Sequence, residues 1–174
     1  IDVDTLCKII DGNYNTYFNK IQIIDCRFNY EFNGGHINGA ININSQNHLE
    51  NFFFHKSKKF KNNDLYIFHC EFSSFRGPKL ASHLRNCDRI LNENNYPFLF
   101  YPNILILDGG YKNFFCNQKN RCIPKFYVQM NDNNHKSICD RELTRFKNDT
   151  KKLLSRANTF HGLTSISTPK PKKI

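Results

Sequence analysis

The sequence predicts an α/β fold in which helices flank an open parallel sheet, and two observations support this prediction. Short apolar runs that are typical of strands alternate with longer segments whose apolar residues recur at helical spacing. Such alternation is typical of parallel sheets, because a helix makes the crossover between neighbouring strands. Ligands bind at the carboxyl ends of the strands in these sheets, so we expect the functional residues there.

The elements of the first half follow from local patterns. Residues 5–10 are apolar at helical spacing, and Asp4 is placed to cap that helix at its N-terminus. We then predict a strand over 21–25, a helical turn over 29–33 that ends at two glycines, a strand over 40–43 and a helix over 47–55.

The second half continues the alternation. A turn over 62–64 leads into a strand over 65–69, and a helix follows over 78–92. An apolar stripe predicts one buried face of that helix, and its members are Leu80, Leu84, Cys87 and Leu91. We further predict a strand over 104–107, a helix over 112–117 and an amphipathic helix over 141–154.

The 174 residues divide into three predicted parts. Residues 1–130 form the α/β domain, which is long enough to bury a core, and 131–164 form a helical extension. Residues 165–174 are predicted to be a basic disordered tail, because the last six contain two prolines and three lysines. The chain begins with Ile1 rather than Met, so we expect a fragment or a processed chain.

The composition indicates which classes of partner and which cellular compartment to expect. A formal charge of +10 favours anionic partners, but no basic stripe with interleaved aromatics indicates nucleic acid, and no apolar run is long enough to span a bilayer. The seven cysteines include no Cys-x2-Cys pair, so a disulfide framework and a zinc site both fit poorly. We expect an intracellular monomer with no metal or cofactor, no nucleic acid and no membrane.

The candidate catalytic residues lie in a loop that follows the predicted strand 65–69. Cys70 and Arg76 are separated by five residues, and Pro78 lies where a first helical turn accepts proline. The backbone N–H groups of this loop and of the helix N-terminus converge on one point, which makes an anion site. The predicted phosphate-binding residues are Glu71, Phe72, Ser73, Ser74, Phe75 and Arg76.

The positive electrostatic potential of these N–H groups favours a Cys70 thiolate over the thiol. Arg76 can bind two phosphate oxygens through its planar guanidinium group. The loop therefore predicts a cysteine-dependent phosphatase. The structural alternative is a buried cysteine at a strand end beside an arginine that caps a helix, because a Cys-x5-Arg spacing alone arises by chance.

The loop and three further stretches resemble the M-phase inducer phosphatases, which are dual-specificity phosphatases of the rhodanese fold that activate cyclin-dependent kinases. The stretches are 24–28 (IDCRF), 30–40 (YEFNGGHINGA), 69–78 (HCEFSSFRGP) and 109–111 (GGY) leading to Phe114 and Phe115. The resemblance covers roughly residues 2–128. It implies a rhodanese-like sheet, which the spacing of the elements alone does not select.

The resemblance implies that Cys70 attacks phosphotyrosine and phosphothreonine and forms a phosphocysteine. It implies a phosphorylated cyclin-dependent kinase–cyclin complex as partner, and a location in the nucleus and cytoplasm. It also implies a redox pair, because Cys26 matches a position that forms a disulfide with the catalytic cysteine. From the residues alone, Cys26 is one more buried cysteine, and Arg27 is predicted to pair with Glu31 four residues on.

The source of the leaving-group proton is left open by Phe75. The family usually has glutamate before the loop arginine, and phenylalanine cannot donate a proton. Glu71 is therefore a candidate catalytic acid, with Asp25 as another, unless the substrate phosphate brings its own proton or activity is impaired. Glu71 is otherwise an orienting group or a solvated surface residue.

Helix 78–92 also carries a candidate docking surface. Arg85 and Arg89 lie opposite the apolar stripe, so both are predicted to face solvent, where exposed charges are common. By resemblance, Arg85, Arg89 and Tyr96 match a remote docking site for the kinase.

Two other kinds of function compete. A sulfurtransferase of this fold has a loop one residue shorter, which argues against it, whereas an arsenate reductase is harder to exclude because arsenate mimics phosphate. A catalytically weak module that docks a kinase is the other alternative, and Phe75 is its only support. The fold alone decides none of this.

Overall fold

The computed structural model describes residues 1–54 and 63–156. The helices are α1 (Val3–Ile10), α2 (Asn29–Asn33), α3 (Gln46–Phe54), α4 (Arg76–Leu91), α5 (Gly110–Gln118) and α6 (Lys136–Arg156). The strands are β1 (Lys20–Asp25), β2 (His36–Ile37), β3 (Ile41–Asn42), β4 (Asp64–His69), β5 (Asn103–Ile106) and β6 (Cys122–Ile123). The predicted tail over 165–174 lies outside the described residues.

The main sheet is parallel throughout, with strand order β3-β1-β4-β5. Asp25 at the end of β1 pairs with His69 at the end of β4 and with Asn42 of β3. The carboxyl ends of these strands therefore lie side by side at the same end of the sheet. The predicted open parallel sheet is confirmed.

Helices cover both faces of this sheet. All six residues of β4 are buried, and successive side chains point to opposite faces. Phe68 packs on one face in a cluster with Leu80 of α4 and Phe146 of α6. Ile67 packs on the other face with residues of α1 and α5 such as Leu6. Two apolar clusters therefore lie on the two faces of β4, the strand that leads to the loop at Cys70.

A second sheet was not predicted. β2 and β6 pair antiparallel, with His36 opposite Ile123 and Ile37 opposite Cys122. Strands of two residues are too short to show an alternating pattern, so sequence periodicity does not detect them.

Helix boundaries differ from the prediction at several places, and three of them affect the cap of α1, the start of α4 and the start of α6. α1 begins at Val3, and Asp2 rather than Asp4 caps it, because its carboxylate accepts the Thr5 N–H at 2.7 Å. α4 begins at Arg76, two residues before the expected start, and α6 begins at Lys136 rather than near 141. Leu80, Leu84 and Cys87 form the buried stripe, whereas Leu91 at the helix end is half-buried.

Among the helices in the two described ranges, none is long and apolar enough to cross a membrane. Phe146 of α6 belongs to the same apolar cluster as Phe68 and Cys70.

Candidate active site

The loop between β4 and α4 occupies the expected place. Cys70 directly follows β4, and Arg76 is the first residue of α4. Both side chains are buried. A short backbone segment at the carboxyl edge of the sheet therefore joins the candidate nucleophile to the candidate phosphate-binding arginine.

The N-terminus of α5 holds the carbonyl groups of this loop. The Tyr111 N–H donates to the Cys70 carbonyl at 2.9 Å, and the Lys112 N–H donates to the Glu71 carbonyl at 3.0 Å. Gly110 makes this approach possible, since a Cβ there would lie 2.5 Å from the Cys70 oxygen and its φ is +60°. The first two carbonyls of the loop, those of Cys70 and Glu71, are thus bound by α5.

The N–H groups of the same loop are left free by this arrangement. In the part of the chain that the structure describes, no N–H of residues 71–75 donates to a protein acceptor. Ser73 adopts the left-handed conformation with φ of 56°, a turn that directs successive N–H groups to one side. The α4 dipole adds positive potential, and the loop is therefore built to bind an anion.

Arg76 is held by Glu31 of α2. Its Nη2 donates to Glu31 Oε1 at 3.0 Å, and its Nη1 donates to Glu31 Oε2. The guanidinium also lies 4.6 Å over the Phe28 ring. Burial opposes the charge, but the ion pair raises the pKa of Arg76 above its ordinary value. The arginine therefore stays charged and fixed beside the loop.

The predicted pair of Arg27 with Glu31 is wrong. Arg27 instead pairs with Asp25, with Nη2 and Oδ2 2.6 Å apart, and donates to the Gly35 carbonyl at 2.7 Å. The spacing rule for i and i+4 applies within a helix, but α2 begins at Asn29, after Arg27. Arg27 therefore lies outside the helix, and its side chain pairs with Asp25 at the carboxyl end of β1.

Asp25 is an ionised group. It is fully buried, which opposes its charge, but Arg27 and the nearby His69 lower the pKa of Asp25 to about 2. A carboxylate with this pKa holds no proton to donate near neutral pH. Burial lowers the pKa of His69, whose Nδ1 lies 3.3 Å from the Cys70 carbonyl. Asp25 is thus a structural anion rather than an acid.

Glu71 is not the solvated side chain that the sequence allowed. It is buried, and its Oε1 accepts the Tyr127 hydroxyl at 2.5 Å and the Met130 N–H at 3.4 Å. The carboxylate therefore ties the loop to the segment that follows β6. Of the roles predicted for Glu71, this contact supports the orienting one.

Two phenylalanines lie at the edge of the loop. Phe72 is half exposed, and the ammonium group of Lys112 lies 5.3 Å from its ring. Phe75 packs edge-to-face on Phe146 of α6, with ring centroids 5.7 Å apart. An apolar side chain at position 75 therefore joins the anion loop to the last helix, and no carboxylate occupies that position.

Cys26 and Cys70 follow the ends of two paired strands. The pair Asp25–His69 is the last in register, and the Cys26 N–H donates to the His69 carbonyl at 2.7 Å. Both thiols are buried in the same apolar cluster. Burial raises the pKa of Cys26, and the neighbouring Cys70 and Asp25 add to this. Cys26 therefore lies beside the candidate nucleophile, at the end of the neighbouring strand, as a protonated thiol.

The predicted docking residues do not share one environment. Arg85 is half-buried, and its two terminal nitrogens donate at 2.8 Å to the carbonyls of Tyr101 and Pro102. Its placement on an open solvent face was wrong, because the chain after α4 folds back over it. Arg89 and Tyr96 are exposed, as expected, and Tyr96 is 88% exposed.

The partners of the loop were not identified from the sequence. Glu31 and Tyr127 lie 45 and 56 residues from their partners Arg76 and Glu71. No local spacing signals contacts of this separation. The sequence located the loop but not the groups that orient it.

Comparison with known proteins agrees with this architecture. The rhodanese-like domain matches residues 13–115. The M-phase inducer phosphatase of Schizosaccharomyces pombe is 43% identical over 97% of the chain. The chain spans only 28% of the length of that relative.

Solved structures show the same fold. A yeast protein tyrosine phosphatase of the rhodanese family superposes with a TM-score of 0.54, 20% identity, and coverage of 74% of this chain and 92% of that one. The As-Sb reductase of Leishmania major has a TM-score of 0.52, 24% identity, and coverage of 69% and 78%.

Proposed function

We propose, since the chain belongs to the rhodanese-like domain family, that its loop from Cys70 to Arg76 hydrolyses phosphate monoesters. The proposal rests on one observation: within residues 1–54 and 63–156, the N–H groups of residues 71–75 have no acceptor, whereas the carbonyls of Cys70 and Glu71 are bound by α5. Such a loop suits a tetrahedral anion held directly above a cysteine. Relatives named M-phase inducer phosphatases support the same chemistry.

The reaction begins with attack by the Cys70 thiolate on phosphorus. The S–P bond forms as the ester P–O bond breaks, and the alcohol or phenol leaves. The loop N–H groups and the charged Arg76 bind the non-bridging oxygens, where negative charge is spread in the transition state. Water then attacks phosphorus, the S–P bond breaks, and phosphate and the thiolate are released.

The leaving oxygen needs a proton, and the nearby side chains restrict its source. Phe75 has none, and Asp25 is ionised. The Glu71 carboxylate is engaged by Tyr127 and Met130. We therefore assign this proton to the substrate phosphate itself, which reacts as its monoanion.

The substrate is assigned by similarity. The relatives' names point to entry into mitosis, and we propose phosphotyrosine and phosphothreonine of a cyclin-dependent kinase–cyclin complex as the substrate. The net charge of +10 suits a phosphorylated protein surface. The exposed Phe72 ring beside the loop can pack against a substrate side chain.

The test is turnover of an aryl phosphate and of a doubly phosphorylated kinase–cyclin complex. Cys70→Ser should abolish both activities, while Cys116→Ser, which alters an exposed cysteine, should leave both unchanged. Rapid quench of the wild type should trap a phosphocysteine. Arsenate reduction without phosphate release would favour the reductase instead, and kinase binding without turnover would favour a docking module.

A further inference from the structure

Three side chains of different chemistry meet where α3 packs against α4. Glu50 belongs to α3, and His83 and Cys87 belong to α4. His83 Nε2 lies 2.7 Å from Glu50 Oε1 and 3.7 Å from Cys87 Sγ. The three potential ligand atoms all lie within 4.8 Å of one another. None of these residues has a role in the anion loop.

The distances suit a tetrahedral metal ion. With metal–nitrogen, metal–oxygen and metal–sulfur bonds of about 2.0–2.3 Å, adjacent ligand atoms lie about 3.3–3.6 Å apart. The nitrogen–sulfur distance of 3.7 Å is about 0.1 Å beyond this range, and the nitrogen–oxygen distance of 2.7 Å needs to open by roughly 0.6 Å. Glu50 can make that movement, because its side chain is 37% exposed.

The two ligands on α4 are held rigidly. His83 and Cys87 are four residues apart, so they lie on the same side of α4, beside the buried Leu80 and Leu84. Both side chains are buried, whereas Glu50 borders solvent and leaves a route for an ion and a water molecule. A buried, preformed pair with one adjustable third ligand is a suitable basis for a metal site.

We propose that Glu50, His83 and Cys87 bind a divalent transition metal ion, Zn²⁺ by ligand chemistry, with water as the fourth ligand. Imidazole, thiolate and carboxylate together favour zinc over magnesium or calcium. Binding removes the thiol proton of Cys87, which passes to solvent, and the ring proton of His83 moves from Nε2 to Nδ1 so that Nε2 can ligate the metal. The ion joins α3 to α4, the helix that begins at Arg76 two turns earlier.

The sequence did not predict this site. It lacks a Cys-x2-Cys pair, and Glu50 is 33 residues from His83. Without a metal, the hydrogen bond between His83 and Glu50 would still join the two helices, and the titration below distinguishes the two states.

The test is a Co²⁺ titration of the Cys70→Ser protein, in which the catalytic thiol cannot contribute. We expect one equivalent of Co²⁺ to bind with a thiolate-to-cobalt charge-transfer band and tetrahedral visible bands, and Zn²⁺ to displace it. Adding Cys87→Ser should remove the charge-transfer band, whereas adding Cys116→Ser, which alters an exposed cysteine, should preserve it.

A second variant keeps the test independent of any folding defect at Cys87. Glu50→Gln retains the thiol and a neutral hydrogen-bonding group, and it should weaken Co²⁺ binding at least tenfold. At the same concentration, Zn²⁺ should raise the thermal midpoint of Cys70→Ser by more than that of Cys70→Ser/Glu50→Gln. Unchanged affinity in Glu50→Gln, a band that survives Cys87→Ser, or no thiolate band at all would overturn the proposal.

Discussion

Glu31 binds both terminal nitrogens of Arg76 with its two carboxylate oxygens, although 45 residues separate them in the chain. Glu31 Oε2 also accepts the Phe28 N–H at 2.9 Å, so the carboxylate is itself held in place. Both side chains are almost completely buried. The charge that must meet a phosphate is therefore oriented before the substrate arrives, which lowers the ordering cost of binding.

Removing the charge of Glu31 should destabilise the protein and impair phosphate binding. Glu31→Gln leaves Arg76 as a buried charge without a counter-ion, which costs about 3 kcal/mol in the free energy of unfolding. Urea unfolding measures this loss, and phosphate inhibition of aryl phosphatase activity measures the binding defect. Asp11→Asn, which breaks the exposed pair with Arg121, is the matched control and should leave both values almost unchanged. Equal effects of the two variants would contradict a special role for Glu31.

Restoring a carboxylate at position 75 should change the dependence on the leaving group. With no side-chain acid, the wild type should react far faster with activated aryl phosphates than with alkyl phosphates. Phe75→Glu should raise the alkyl phosphate rate, while the lost packing on Phe146 costs about 1 kcal/mol of stability. Phe75→Gln loses the same packing without adding an acid, so it separates the two effects. A flat dependence in the wild type would instead assign the proton to Glu71.

The free energy of unfolding at low pH should depend on the ionisation of Asp25. Its folded pKa of about 2 lies below the ordinary value of 3.8, so its contribution is complete above pH 5 and is lost as the pH falls towards 2. This group alone contributes about 2 kcal/mol between these limits. Urea midpoints from pH 6 to pH 2 measure the loss. Asp25→Asn should flatten that part of the profile, and an identical slope would exclude Asp25 as its source.

Substitutions of Arg85 and Arg89 should have different effects on activity and stability. Arg89→Glu should reduce kcat/KM on the kinase complex about 30-fold, the equivalent of about 2 kcal/mol, and spare aryl phosphates. Arg85→Glu should also lower the stability, because it removes the bonds to the carbonyls of Tyr101 and Pro102. Parallel kinetics and urea unfolding distinguish these outcomes. Loss of aryl phosphatase activity in Arg89→Glu would contradict a docking role.

Mild peroxide should inactivate the enzyme reversibly through Cys26. Peroxide converts the Cys70 thiolate to a sulfenic acid, and the Cys26 thiol then displaces water to form a disulfide. Thiol reductant should restore wild-type activity, whereas Cys26→Ser should lose activity permanently. Cys122→Ser, which alters a buried cysteine of the other apolar cluster, should recover like the wild type. Equal recovery of Cys26→Ser would exclude this role.

The anion loop and its position in the α/β alternation follow from local rules. A strand that ends just before Cys70 and a helix that accepts Pro78 in its first turn place the loop at the carboxyl end of a strand. These features depend on hydrogen bonds along adjacent backbone segments, whose geometry is nearly independent of the rest of the chain. They were therefore predictable from the order and length of the elements.

The choice of side-chain partners was decided by the tertiary structure. Glu31 binds Arg76 rather than Arg27, Arg85 binds the backbone of a returning loop, and Glu50 meets Cys87 across two helices. Spacing predicts contacts only within one helix or one strand pair. Which charged groups meet in the interior depends instead on how separate elements pack, since each buried charge must find the counter-ion or acceptor that the packing brings to it.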